Sequence, residues 1–174
     1  MAPPPTASSN HRTAVVFAGI GTLLVTAYAG LAALQILVLN PLAAAPGKEL
    51  DQIHADMAAA GESMSTPMAL GVLSAGVGLG IVLFVLIARS RNLTPQAAVL
   101  GYLVLLIFGT PAYFIASFGA GMGLADTYGI SGGDYSPWAR ALYLISLLAF
   151  VSALTIGVID LSRRHRKMTS LIAT

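Results

Sequence analysis

The sequence contains no cysteine, which excludes disulfides, thiolate metal sites, thiol nucleophiles and thiol redox chemistry. It is also poor in charge. Asp, Glu, Lys and Arg make up 9% of the 174 residues, against roughly 25% in a soluble domain. Apolar residues take their place: 56% of the chain is hydrophobic and the mean hydropathy is +0.81. Water is therefore not the main solvent of this protein.

A third absence lies inside the apolar runs. Four segments, at 14–39, 67–88, 96–119 and 138–161, exceed the roughly 18 residues that mark a spanning helix. Between their ends they hold no Asp, Glu, Lys, Arg or His. Arg140 and Asp160 stand at segment ends, where snorkelling and an i,i+4 pair with Arg164 account for them. Proton relays, ion-coupled transport and charge sensing need an ionisable group within the membrane. Haem held between spans needs an axial ligand, and no span offers histidine. These omissions argue against an enzyme and against a resident cofactor or metal, and no catalytic residue is assigned.

What remains is an all-α integral membrane protein, a four-transmembrane-helix bundle. Residues 1–12 read as a disordered tail rich in Pro and Ser, 13–162 as the membrane domain, and 163–174 as a basic tail. Sorting the charges by side orients it. Arg12, Arg89, Arg91, Arg163, Arg164, Arg166 and Lys167 fall on one side. Lys48, Arg140 and six of the seven acids fall on the other. The positive-inside rule then places both termini in the cytoplasm of a multi-pass cell-membrane protein, with a bacterial plasma membrane as the expected location. The tail cations Arg163, Arg164, Arg166 and Lys167 follow a span directly, so they read as topology or lipid-head-group charges and not as a nucleic-acid site.

Proline punctuates the elements. Asn40-Pro41 is expected to end the first span, and Thr66-Pro67, Thr94-Pro95 and Ser136-Pro137 to open the other three. In the first external segment, Leu50, Ile53, Met57 and Met64 recur at helical spacing, which predicts a short amphipathic helix. The second external segment, GAGMGLADTYGISGGDYSPW, is Gly-rich and reads as an irregular loop.

Three groups of residues invite a role. The second span carries GVLSAGVGLG at 71–80. At about 100° per residue, Gly71, Ser74, Ala75 and Gly78 share one face, while Gly76 and Gly80 form a G-x-x-x-G pair opposite. Small faces let membrane helices approach closely, so one face packs inside the bundle and the other packs against a further span of this chain or against a different subunit. In the third span, Thr110, Tyr113 and Ser117 form a polar stripe beside Pro111, and Tyr28 and Gln35 share a face of the first span. On the external side, Glu49, Asp51, His54 and Asp56 form an acidic surface suited to docking a basic partner. A single histidine there does not make a metal site.

These features predict a non-catalytic accessory, scaffolding or assembly subunit that packs on other membrane subunits or on itself, with membrane lipids as its solvent. The alternative is a small transporter or channel for a neutral solute that uses the Thr110–Tyr113–Ser117 stripe.

Overall fold

A computed structural model describes residues 7–90 and 92–172, with side chains over 10–90 and 92–163. Every regular element among the described residues is helical, and none is a strand. The order is α1 (Ala7–Leu34), a π turn (Gln35–Leu39), α2 (Asn40–Ala44), α3 (Leu50–Ala59), α4 (Thr66–Arg89), α5 (Pro95–Ile107), α6 (Gly109–Tyr128) and α7 (Ala139–Ile172). Four helical stretches are long and apolar enough to cross a membrane: Asn10–Ala44, Thr66–Arg89, Pro95–Tyr128 and Ala139–Arg163. The class is thus an all-helical chain with four span-length helices, as in a multi-pass membrane protein.

The first span does not stop at Asn40-Pro41. Proline lacks an amide proton and crowds the preceding turn, and here the helix widens to absorb it. The Asn40 amide bonds to the Gln35 carbonyl, five residues back, and Pro41 then occupies the first turn of α2. A π turn of this kind lets a helix continue past a residue that would break it. At the other end, helix begins at Ala7, so residues 7–12 of the expected tail are helical; residues 1–6 lie outside the described residues.

The third span differs more. Phe108 separates α5 from α6, three residues before Pro111, which cannot donate to the carbonyl one turn back. The helix then runs through GAGMGLADTY, the stretch expected to be a loop. Pro95–Tyr128 has 34 residues, about 51 Å at the helical rise, against a hydrocarbon core of about 30 Å. It is therefore longer than a hydrocarbon core requires, and α3 packs on α6. Ile53 and Met57 of α3 are fully buried there, with Leu124 of α6.

The N-terminal caps follow the prolines in part. Thr94 accepts from the Ala97 amide at 3.2 Å and caps α5. Helix α4 is preceded instead by Ser65, which adopts left-handed backbone angles (φ 47°). Ser136 and Pro137 lie in a turn just before α7.

Helix α1 is central, packed between α4 and α5; α4 also lies on α6, and α7 lies mainly on α5. Tyr102 ties three of them together. Its ring sits where a side chain on Gly21 of α1 would be, so a Cβ there would lie 2.2 Å from the ring. Its hydroxyl donates to the Gly80 carbonyl of α4 at 2.9 Å and pairs with Thr22 Oγ1 of α1 at 2.8 Å.

Candidate functional site

The richest polar geometry lies at the end of the bundle that carries α3. There the α6–α7 connection folds back, and Asp134 accepts hydrogen bonds from the Tyr113 hydroxyl of α6 and the Tyr143 hydroxyl of α7, the latter at 2.6 Å. The two rings meet edge to face, 5.8 Å apart at 80°. Asn40 holds the same connection from the first span: its side-chain oxygen accepts from the Tyr135 and Ser136 amides at 2.7 and 3.3 Å. The π turn puts Asn40 at the exit of that span, so the irregularity forced by Pro41 also seats the connection.

Below this centre the polar groups are less well matched. Gln35 is fully buried beside Tyr113, whose proton goes to Asp134, and neither amide atom of Gln35 has a hydrogen bond of good geometry. The Tyr28 hydroxyl lies beside Ser146 and Thr110, again without a well-formed bond. Ser146 spends its proton on the Leu106 carbonyl at 2.8 Å. Buried polar groups are paired in the great majority of cases, so these two mark a specialised region.

The Thr110–Tyr113–Ser117 stripe runs alongside this region. Thr110 lies by Tyr28, and Tyr113 reaches Asp134. Ser117 bonds back to the Phe114 carbonyl at 3.2 Å and lines a small cleft with Asp134 and Tyr143.

The glycine-rich span is asymmetric. Gly80 is buried against Val25 and Tyr102, and Ala69, Leu73 and Ile87 are buried with it. Gly71, Ser74 and Ala75 are exposed, and Gly78 is half-buried with no atom within 4 Å of a built Cβ. Gly76 also has open space, at the edge of an apolar cleft of about 200 Å³ that includes Val25, Tyr28, Val72 and Phe108. The own-chain contacts of α4 thus lie on the Gly80 side.

The acidic surface on and before α3 is not one cluster. Glu49, Asp51 and His54 are exposed, and the Glu49 amide donates to the Gln52 side chain at 3.0 Å to start the helix. Asp56 is engaged: Lys48 donates to its carboxylate, Tyr128 adds a bond at 2.9 Å, and the Lys48 ammonium lies 5.2 Å over the Tyr128 ring. The Lys48 hydrogen bond, then that from Tyr128, hold Asp56 below its ordinary value. Among the described residues no three His, Cys, Asp or Glu are grouped to hold a metal ion. Arg163 is exposed beside an apolar cleft between α1, α5 and α7. The side chains of Arg164, Arg166 and Lys167 lie outside those described.

Asn40, Tyr102, Asp134 and Tyr143 carry most of this geometry, and the sequence patterns single out none of them for it. No protein-family model matches the chain, and neither a curated protein nor a solved structure matches it.

Proposed function

We propose that this protein is a non-catalytic accessory or assembly subunit of a membrane complex, with both termini in the cytoplasm, that receives another membrane helix on the outward face of α4. The observation that carries this reading is the face formed by Gly71, Ser74, Ala75 and Gly78. Gly71, Ser74 and Ala75 are exposed and a Cβ on Gly71 or Gly78 would meet no atom within 4 Å, while on the opposite face Gly80 is closed in by Val25 and Tyr102. Helix α7 presents a different exterior, with Leu147, Leu148, Val151, Leu154 and Val158 exposed. Long apolar chains suit lipid tails, whereas small residues suit a closely approaching helix.

The absence of native cysteine makes the test direct. Single Ser74→Cys and Leu154→Cys variants, crosslinked in native membranes, report on the two exteriors. Ser74→Cys should capture a second copy or another membrane protein, and Leu154→Cys should not. Equal capture, or none at Ser74→Cys, would sink the proposal.

A second reading, passage of a neutral solute, draws on the buried, unpartnered Gln35 amide next to the Tyr113 stripe. It requires that replacing Thr110, Tyr113 and Ser117 by Ala, Phe and Ala abolish flux in proteoliposomes.

A further inference from the structure

The geometry at the α3 end points to a binding site of its own: a cleft that takes an alkylammonium group on Asp134. The cleft has a volume of about 150 Å³, and Phe114, Ser117, Phe118, Gly132, Asp134 and Tyr143 line it. That is about five times the volume share of one liquid water molecule, enough for a small head group and too little for an extended ligand.

The chemistry of the lining selects the charge. Tyr113 and Tyr143 both donate to Asp134, and Ser117 donates to the Phe114 carbonyl, so these three hydroxyl protons are spent. What they leave towards the cleft are acceptor lone pairs on the carboxylate and the hydroxyl oxygens. No Lys or Arg among the described residues pairs with Asp134, the ion pair there being Lys48–Asp56. The Asn40 amide, whose oxygen is taken by the Tyr135 and Ser136 amides, adds N–H donors to the lining, so what disfavours an anion is the charge of Asp134. Among the described residues no three His, Cys, Asp or Glu are grouped here to hold a metal ion.

The walls select the kind of cation. Phe114 and Phe118 are 61% and 57% exposed, with ring centroids 6.0 Å apart, and Tyr143 lines the cleft with them. Aromatic side chains lining a cleft with one carboxylate favour a weakly hydrated organic cation over a strongly hydrated metal ion. Glycine keeps the floor low: a Cβ on Gly121 would lie 2.8 Å from the Gly132 carbonyl. The ammonium could belong to a free solute or to the head group of a lipid at this end of the bundle.

The single tryptophan, Trp138, follows Asp134 by four residues in the same connection and serves as reporter. Purified protein in phosphatidylglycerol nanodiscs is titrated with choline and, separately, with 3,3-dimethylbutan-1-ol, its neutral isostere. Choline should change Trp138 emission saturably, and the isostere should not. Asp134→Asn should weaken choline binding about tenfold or more, the loss expected when a charge-assisted contact is removed, with the circular-dichroism spectrum retained. Tyr143→Phe should weaken it less. Replacing the lipid by phosphatidylcholine separates the sources: a raised apparent Kd identifies the head group as occupant, and an unchanged Kd identifies the free cation. Equal responses to choline and its isostere overturn the site, and so does wild-type affinity in folded Asp134→Asn.

Discussion

In α6, Gly119, Gly121 and Gly123 are pressed against other parts of the chain; in α4, Gly71, Gly76 and Gly78 have open space where a side chain would stand. A Cβ on Gly119 would meet Ser65 Oγ at 2.5 Å, one on Gly121 the Gly132 carbonyl at 2.8 Å, and one on Gly123 both Met57 Cε and the Ser63 carbonyl at 2.8 Å. The same construction at Gly71, Gly76 or Gly78 finds no atom within 4 Å. Glycine weakens a helix by roughly 1 kcal/mol relative to alanine. In α6 that loss is offset by the close approach of α3, of the segment between α3 and α4, and of the α6–α7 connection. In α4 nothing within the chain offsets it, and the proposal of a partner helix rests on that difference.

Substitutions in α6 should have the largest effect. Gly123→Leu forces the side chain against the Ser63 backbone, which cannot rotate away as Met57 can. Overpacking of this kind should destabilise the α3–α6 cap by about 3 kcal/mol, the upper part of the usual range. Limited proteolysis between α3 and α4, together with thermal unfolding in mild detergent, would register it. A Gly123→Leu protein as stable as wild type would remove the packing explanation for the α6 glycines.

The packed side of α4 is probed by Tyr102→Phe, which keeps the ring over Gly21 and removes the hydroxyl. Two hydrogen bonds are lost, to the Gly80 carbonyl and to Thr22. The expected destabilisation is about 1–2 kcal/mol, read from unfolding in sodium dodecyl sulfate titrations. An unchanged midpoint would mean that α4 is held to the bundle by packing alone.

A smaller effect separates α3 from α4 by pH. Asp56 has a folded-state pKa below its ordinary 3.8 because Lys48 and Tyr128 bind its charged form. Its contribution is therefore fully present above the ordinary value and is lost as pH falls through the depressed folded value. The pair is exposed, so the contribution is small. Asp56→Asn should remove that part of the acid-side loss of α3 protection in hydrogen exchange, while α4 protection stays the same. If both helices lose protection together, the cap and the bundle are one cooperative unit.

The architecture was legible where a local rule met no competitor. Four apolar runs gave four span-length helices, and the Leu50–Ile53–Met57 spacing gave α3 with its buried Ile53 and Met57. It failed where tertiary contact overrode local preference. Gly119, Gly121 and Gly123 read as loop because the preference of glycine against helix is visible in sequence, and the Ser63, Ser65 and Gly132 atoms that reward it are not. Asn40-Pro41 read as a terminus because a π turn at Gln35–Leu39 leaves no mark in composition. Asp134 escaped notice for a related reason. It lies 21 residues after Tyr113 and nine before Tyr143, and only the return of the connection onto α6 brings the three together. In the second span, angular sorting separated two small faces, but the choice of which one is internal depended on where Tyr102 points.

The smallest effect on stability should come from the substitution that matters most to the proposed function. Gly71→Leu with Gly78→Leu places two long side chains where the chain offers no neighbour, and it removes two poor helix formers. The folded bundle should lose no more than about 0.5 kcal/mol, as for substitutions away from any packed feature, and the gain in helix propensity acts only to stabilise it. Association should nevertheless fail, because the added side chains occupy the volume that an approaching helix needs. Size-exclusion chromatography with light scattering, run beside the unfolding titration, reads both quantities on one sample. Lost association with a retained midpoint separates α4's exterior from the α6 glycines, where the same change of residue unfolds the cap. Retained association would falsify the partner face. A collapsed midpoint would show that these glycines, like those of α6, serve the chain's own packing.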